Sequence, residues 1–121
     1  MAKSSSKVIC VFLILSLALP NTLATDYVVG DALGWALGAN VLASLPQIIH
    51  VGDTLLFRFT SPQTVAVVDL IGYLTCDATL ALLNDVSGIF SYTFTKPGTF
   101  WFISAGPGAC AAGLKLQVLV L

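Results

Sequence analysis

The chain has 121 residues, of which 57% are hydrophobic and only 9% charged, with five Lys and Arg against six Asp and a formal net charge of −1. That length fits one domain, and the balance leaves no basic patch for nucleic acid. Against about 25% charged residues in a typical soluble domain, the low charge implies either an apolar patch that meets a partner or a merely neutral, poorly soluble surface.

Lys3 and Lys7 form a basic n-region, residues 8–19 an apolar h-region, and Thr22-Leu23-Ala24 a small-residue cleavage site that would leave Thr25 as the new N-terminus. At about 12 residues the apolar run is too short to span a bilayer. Residues 1–24 therefore read as a secretory signal peptide, with an uncleaved anchor as the alternative. Residues 25–121 form the mature domain, which buries about 60 to 65% of its unfolded surface. Cleavage removes Cys10 and leaves Cys76 and Cys110 for an oxidising compartment. A bridge between them would close a loop of about 35 residues, while two free buried thiols are the alternative.

Residues 26–29 predict a short strand stopped by Gly30-Asp31, and Trp35, between Gly34 and Gly38, reads as a core plug in an irregular segment. After Leu45-Pro46, Ile48 and Ile49 begin an extended run, and Val51-Gly52-Asp53 makes a turn. Residues 54–59 alternate, with Leu55, Phe57 and Phe59 on one face, Thr54 and Arg58 on the other, and Leu56 breaking the pattern. Ser61-Pro62 breaks the chain before a β-branched run over 64–68 that suits a buried strand. Residues 70–83 fit either a short helix or loops around Cys76, and 84–88 read as a turn cluster. Residues 89–95 alternate through Phe90, Tyr92 and Phe94. Lys96-Pro97-Gly98 then turns into a strand over 99–103, and 114–121 close the domain as a last strand. About seven strands with short turn spacing and little room for crossover helices predict an all-β antiparallel sandwich.

Three features invite chemistry and yield none. Gly106-Pro107-Gly108 lacks the following Lys-Ser/Thr and helix of a phosphate-cradling loop. The aspartates, Asp26, Asp31, Asp53, Asp69, Asp77 and Asp85, show no paired spacing for acid and base work or a calcium loop. His50, just before Val51-Gly52-Asp53, reads as a surface histidine near an aspartate rather than a ligand or catalytic base.

The succession Tyr27-Val-Val-Gly-Asp31, Gly34-Trp35, Val51-Gly52-Asp53-Thr54-Leu55, Thr64-Val65, residues 73–76, Lys96-Pro97-Gly98-Thr99, Phe102-Ile103 and Gly106-Pro107-Gly108-Ala109-Cys110 resembles the plant phytocyanins, the blue-copper relatives that include stellacyanins, uclacyanins, plantacyanins and early nodulin-like proteins. The resemblance covers essentially all of the mature chain. It implies a cupredoxin-like Greek-key β-sandwich with a Cys76–Cys110 disulfide. In copper-binding phytocyanins a histidine precedes the Thr-Val, a cysteine follows the Phe-Ile, a second histidine precedes the disulfide cysteine, and a methionine or glutamine follows the next glycine. Those positions fall here on Gln63, Ser104, Ala109 and Leu114.

A blue-copper site needs two imidazoles and a thiolate with a weak axial donor, because the soft sulfur supports the cuprous state. The mature chain has one histidine, His50, and two cysteines that the resemblance spends on the disulfide. No cofactor is therefore expected and no enzyme activity. The first reading is a secreted, non-redox binding or structural module of the cell wall or apoplast. Its partner would be an extracellular component or a small apolar ligand, held in a shallow pocket near Leu114, Ala109, Phe100 or Phe102; plain core filling is the alternative for that position. A copper-dependent electron carrier is the second reading, and an enzyme using the pocket the third. The chain stops at Leu121 after its last strand, with no Asn-x-Ser/Thr sequon and no Pro/Ser-rich region or hydrophobic tail for a glycolipid anchor. The expectation is an unanchored apoplastic protein, with the plasma-membrane periphery as the alternative.

Overall fold

The computed structural model describes residues 23–121, so the leader reading lies almost entirely outside the described residues. In chain order the elements are β1 (Asp26–Val28), β2 (Ile48–Ile49), β3 (Thr54–Arg58), β4 (Val65–Val68), α1 (Leu70–Thr75), β5 (Leu83–Asp85), β6 (Ile89–Thr93), β7 (Gly98–Ile103) and β8 (Lys115–Val120). They form a five-stranded sheet of order β2-β8-β7-β4-β5 and a three-stranded sheet of order β1-β3-β6. Eight strands replace the expected seven, because Asn84 and Asp85, read as turn residues, pair with Ala66 and Val65 before the chain turns. Two pairings, β1 with β3 and β2 with β8, are parallel rather than antiparallel. The chain leaves one sheet after β1, visits the other as β2 and returns as β3. That long crossover brings β1 and β3 side by side in the same direction.

Alternation settles which faces meet. In β3, Leu55 and Phe57 are fully buried and Arg58 is exposed; in β8, Leu116, Val118 and Val120 are buried while Gln117 and Leu119 face out. These inward faces enclose an aromatic chain. Trp35 meets Phe57 edge-on at 5.1 Å between ring centroids, Phe57 meets Phe102 at 5.2 Å, and Phe94 meets Phe100 at 4.9 Å. Such pairs add about 0.5 to 1.5 kcal/mol each beyond the area they bury.

Trp35 is the plug its setting suggested, with no exposed surface. Its N–H donates to the Arg58 carbonyl at 2.8 Å. Gly34 has φ +71°, and a Cβ there would stand 2.7 Å from that same carbonyl oxygen, so only glycine lets the chain come this close.

β4 is buried on both faces because α1 covers the outer side of the larger sheet. Ala66, Val68, Ile103 and Cys110 form a second core there, packed by Tyr73, Cys76 and Trp101. The ambiguous stretch after β4 thus opens as a helix. Asp69 caps it by accepting from the Gly72 amide at 2.8 Å, and Cys76 ends it in the left-handed conformation at φ 53°. Cys76 is bonded to Cys110, which ties the helix end to the loop between β7 and β8.

Candidate functional site

Gln63, Ser104, Ala109 and Leu114 come together at one end of the larger sheet. Gln63 precedes β4, Ser104 follows β7, and the loop over 104–114 leads into β8. Register fixes their approach, because Ile103 pairs with both Ala66 and Lys115. A continuous hydrogen-bond path then runs through all four residues. The Ser104 hydroxyl donates to Gln63 Oε1 at 2.7 Å, the Ser104 amide to the Leu114 carbonyl at 3.1 Å, and the Leu114 amide to the Ala109 carbonyl at 2.9 Å.

Ser104 is 1% exposed and its hydroxyl is fully used. Besides donating to Gln63, its oxygen accepts from the Thr64 and Gly106 amides, each at 3.2 Å. One donor and two lone pairs are all a hydroxyl has. The neighbourhood is equally closed: Thr64 Oγ1 accepts from the Ala105 amide at 3.0 Å, and the Trp35 indole N–H donates to the Thr64 carbonyl at 2.8 Å. Gly106 is required on steric grounds, since a Cβ there would lie 2.6 Å from Gln63 Oε1 and 2.9 Å from the Pro62 carbonyl oxygen.

Removing this hydroxyl has a calculable consequence. Ser104→Ala strands two amides and leaves Gln63 Oε1 without its donor, and each buried unsatisfied group costs about 1 to 3 kcal/mol. The expected loss of stability is about 2 kcal/mol, read as a lower midpoint in urea with an unchanged slope. A midpoint within error of the parent would contradict the closed network.

Ala109 and Leu114 are buried in the same principal core as Phe102, and Phe100 packs against it. Ala109 and Phe102 are thus filled core, the alternative weighed for that position, while Leu114 and Phe100 each also border a surface groove. Surface grooves flank that position. One of about 290 Å³ runs between residues 36–40 and 112–114, and one of about 450 Å³ borders Gln63, Pro62, Arg58 and Ile89.

The remaining donor side chains lie elsewhere. His50 is 66% exposed, with Nδ1 4.0 Å from Asp53 Oδ2, matching its reading as a surface histidine beside an aspartate. It follows Ile49, which pairs with Val120 at the far end of β8 from Leu114. Along a strand that separation is about 20 Å. Among the described residues no three His, Cys, Asp or Glu gather as a metal-holding group. Asp77, in the loop after α1, has its carboxyl held below the usual range by the Thr79 hydroxyl and then by the Thr79 amide, which donates at 2.9 Å; it is not among the four residues.

Residues 35–114 match the family described as a plastocyanin-like domain. The chain belongs to the plastocyanin-like family. Among its relatives, a blue copper protein of pea is 34% identical over 99% of this chain and 65% of its own length, and uclacyanin-3 of Arabidopsis thaliana is 35% identical over 96% and 53%. The chain thus spans about half to two thirds of the length of these relatives. Among solved structures, the cucumber basic protein, a blue copper protein, superposes with a TM-score of 0.70 at 33% identity, covering 79% of this chain and 99% of that one. Cucumber stellacyanin shares the fold at a TM-score of 0.69. The phytocyanin resemblance and the cupredoxin-like sandwich with its Cys76–Cys110 bridge are therefore correct.

Copper of the kind this plastocyanin-like fold is known for does not fit the four residues. Ser104 offers a hydroxyl already committed to three hydrogen bonds, Gln63 a neutral amide, and Ala109 and Leu114 no donor atom. None of these is the imidazole or thiolate that a blue-copper site uses. Reading the residues one by one missed the bond between Gln63 and Ser104, 41 positions apart. The available signal was that the two polar residues among the four positions are chemically complementary, a hydroxyl and an amide.

Proposed function

We propose that this protein is a secreted, phytocyanin-like module whose copper position has become structural, and that it works outside the cell by contact rather than by electron transfer or catalysis. The observation that carries this reading is the saturated Ser104 hydroxyl, buried between Gln63 and two backbone amides where a copper-binding relative would need a thiolate. A buried polar group that is fully satisfied adds specificity to the fold and offers nothing to an incoming cation.

The surface supports a contact role. Ile71, Leu74, Leu80, Leu82 and Val86, on and after α1 and around β5, are exposed, with Leu80 at 90%. Apolar side chains grouped in this way suit an extracellular or cell-wall component with an apolar face of its own. Among the described residues no helix is long and apolar enough to cross a membrane. The plain test is colour. Purified protein titrated with cupric ion is expected to show no intense thiolate-to-copper absorption and no saturable stoichiometric uptake in equilibrium dialysis. A blue product with one copper per chain would overturn the reading.

A further inference from the structure

Asp53 is a carboxylate only 3% exposed, set in the turn between β2 and β3. Its Oδ2 accepts from the His50 amide at 2.9 Å, and its Oδ1 accepts from the Thr25 amide, also at 2.9 Å. The contact with Thr25 is held from both sides. The Thr54 amide donates to the Thr25 carbonyl at 3.0 Å, and the Phe94 amide to the Asp53 carbonyl at 3.0 Å. Thr25 is also the residue that the Thr22-Leu23-Ala24 cleavage pattern would make the first of the mature chain.

From this coincidence we infer that Asp53 is the receptor for the processed N-terminus, so that leader removal itself completes the fold. Hydrolysis of the Ala24–Thr25 bond by a leader peptidase consumes one water, leaves a carboxylate on Ala24 and places an amine on Thr25, which takes up a proton to become an ammonium. Before cleavage, Oδ1 of a buried carboxylate faces a neutral peptide N–H. Afterwards the same nitrogen carries a positive charge at the same place, and a hydrogen bond from a neutral donor to the carboxylate becomes a hydrogen-bonded ion pair. A buried carboxylate is costly without a cation beside it. Among the described residues the titratable side chain in contact with Asp53 is His50, on the exposed side of the turn, and Asp26 follows Thr25 in the chain. Cleavage one residue earlier or later would put the ammonium off this oxygen, so only a product that begins at Thr25 makes the pair. The inference rests on the secreted part of the proposed function and is independent of its non-redox part.

The test uses the full chain secreted from a eukaryotic host. The mature product is expected to begin at Thr25 by mass spectrometry. Its α-amine should react with an acylating reagent at pH 8 about tenfold more slowly than in the Asp53→Asn variant, because pairing with a carboxylate favours the unreactive charged form. His50→Gln should leave that rate as in the parent. Acetylating the α-amine should lower Tm by about 4 to 8 °C in the parent and leave Asp53→Asn unmoved. A product that begins at another residue would overturn the inference, as would equal acylation rates or an equal Tm loss in both proteins. Should Asp53→Asn fail to fold, the peptide Thr-Asp-Tyr serves as the rate reference and the same tenfold difference decides.

Discussion

A variant carrying Gln63→His, Ser104→Cys, Ala109→His and Leu114→Met together is expected to turn intensely blue with cupric ion, where the parent stays colourless. The expectation rests on placement. The four residues are joined by an unbroken hydrogen-bond path at one end of the larger sheet, so the new side chains arise within one small volume. Position 104 already has two backbone amides aimed at its side-chain oxygen, and the same amides would donate to a thiolate sulfur there, a kind of contact that tunes copper–thiolate sites. Two imidazoles and a thiolate then supply the soft trigonal donor set that an amide, a hydroxyl and two alkyl groups cannot. The cost falls on Ala109, which has no exposed surface. A histidine there overpacks the core by about 1 to 3 kcal/mol, which a bound metal offsets by stabilising the folded state. Ser104→Cys alone is the control and should give no intense band. A quadruple variant that folds, by circular dichroism, yet stays colourless with excess copper would show that these are not the ligand positions.

Loss of the Cys76–Cys110 bridge is expected to remove about 4 kcal/mol of stability on the chain-entropy account of a loop this long. The two cysteines are 34 positions apart in sequence. Since a domain of this size is stable by about 5 to 15 kcal/mol, one bond would then carry a large share of the margin. Its position adds a local effect. Cys110 is the neighbour of Ala109, and the bridge fastens the loop over 104–114 to the end of α1. The double variant Cys76→Ala, Cys110→Ala should therefore unfold at a much lower urea concentration, and its amides over 104–114 should exchange with solvent faster than those of β3. A shift worth less than about 1 kcal/mol, with exchange in the loop unchanged, would mean that core packing alone holds this end of the sandwich.

Much of the architecture was legible because its signals are local. Alternation over β3 and β6, the β-branched run of β4 and the turns at Gly52-Asp53 and Pro97-Gly98 each report on neighbouring residues, and each element formed close to where these signals put it. What alternation could not supply was the partner of each strand. The parallel pairing of β1 with β3 depends on how the chain crosses between sheets. The strand β5 was hidden because Asn84 and Asp85 are turn formers by composition, yet they pair with β4 once α1 has carried the chain back.

The site divided along the same line. Family motifs placed Gln63, Ser104, Ala109 and Leu114 one residue at a time, and the lack of imidazole and thiolate donors among them followed from their chemistry. Whether those positions would leave a pocket or a filled core depends on how side chains close over one another, and the motif pattern carries no such information. The closure comes from a hydroxyl on one strand end finding an amide 41 residues away, and from Leu114 joining Phe102 in the core. The contact of Asp53 with Thr25, 28 residues apart, was likewise invisible, although both residues stood out separately.

The central claim is that this member of the plastocyanin-like family works without a redox metal. Metal analysis of the protein isolated from its own tissue under non-chelating conditions, followed by a redox titration, tests it most directly. The account predicts copper far below one atom per chain and no reversible one-electron wave. One tightly held copper per chain, cycling between the cupric and cuprous states, would contradict it.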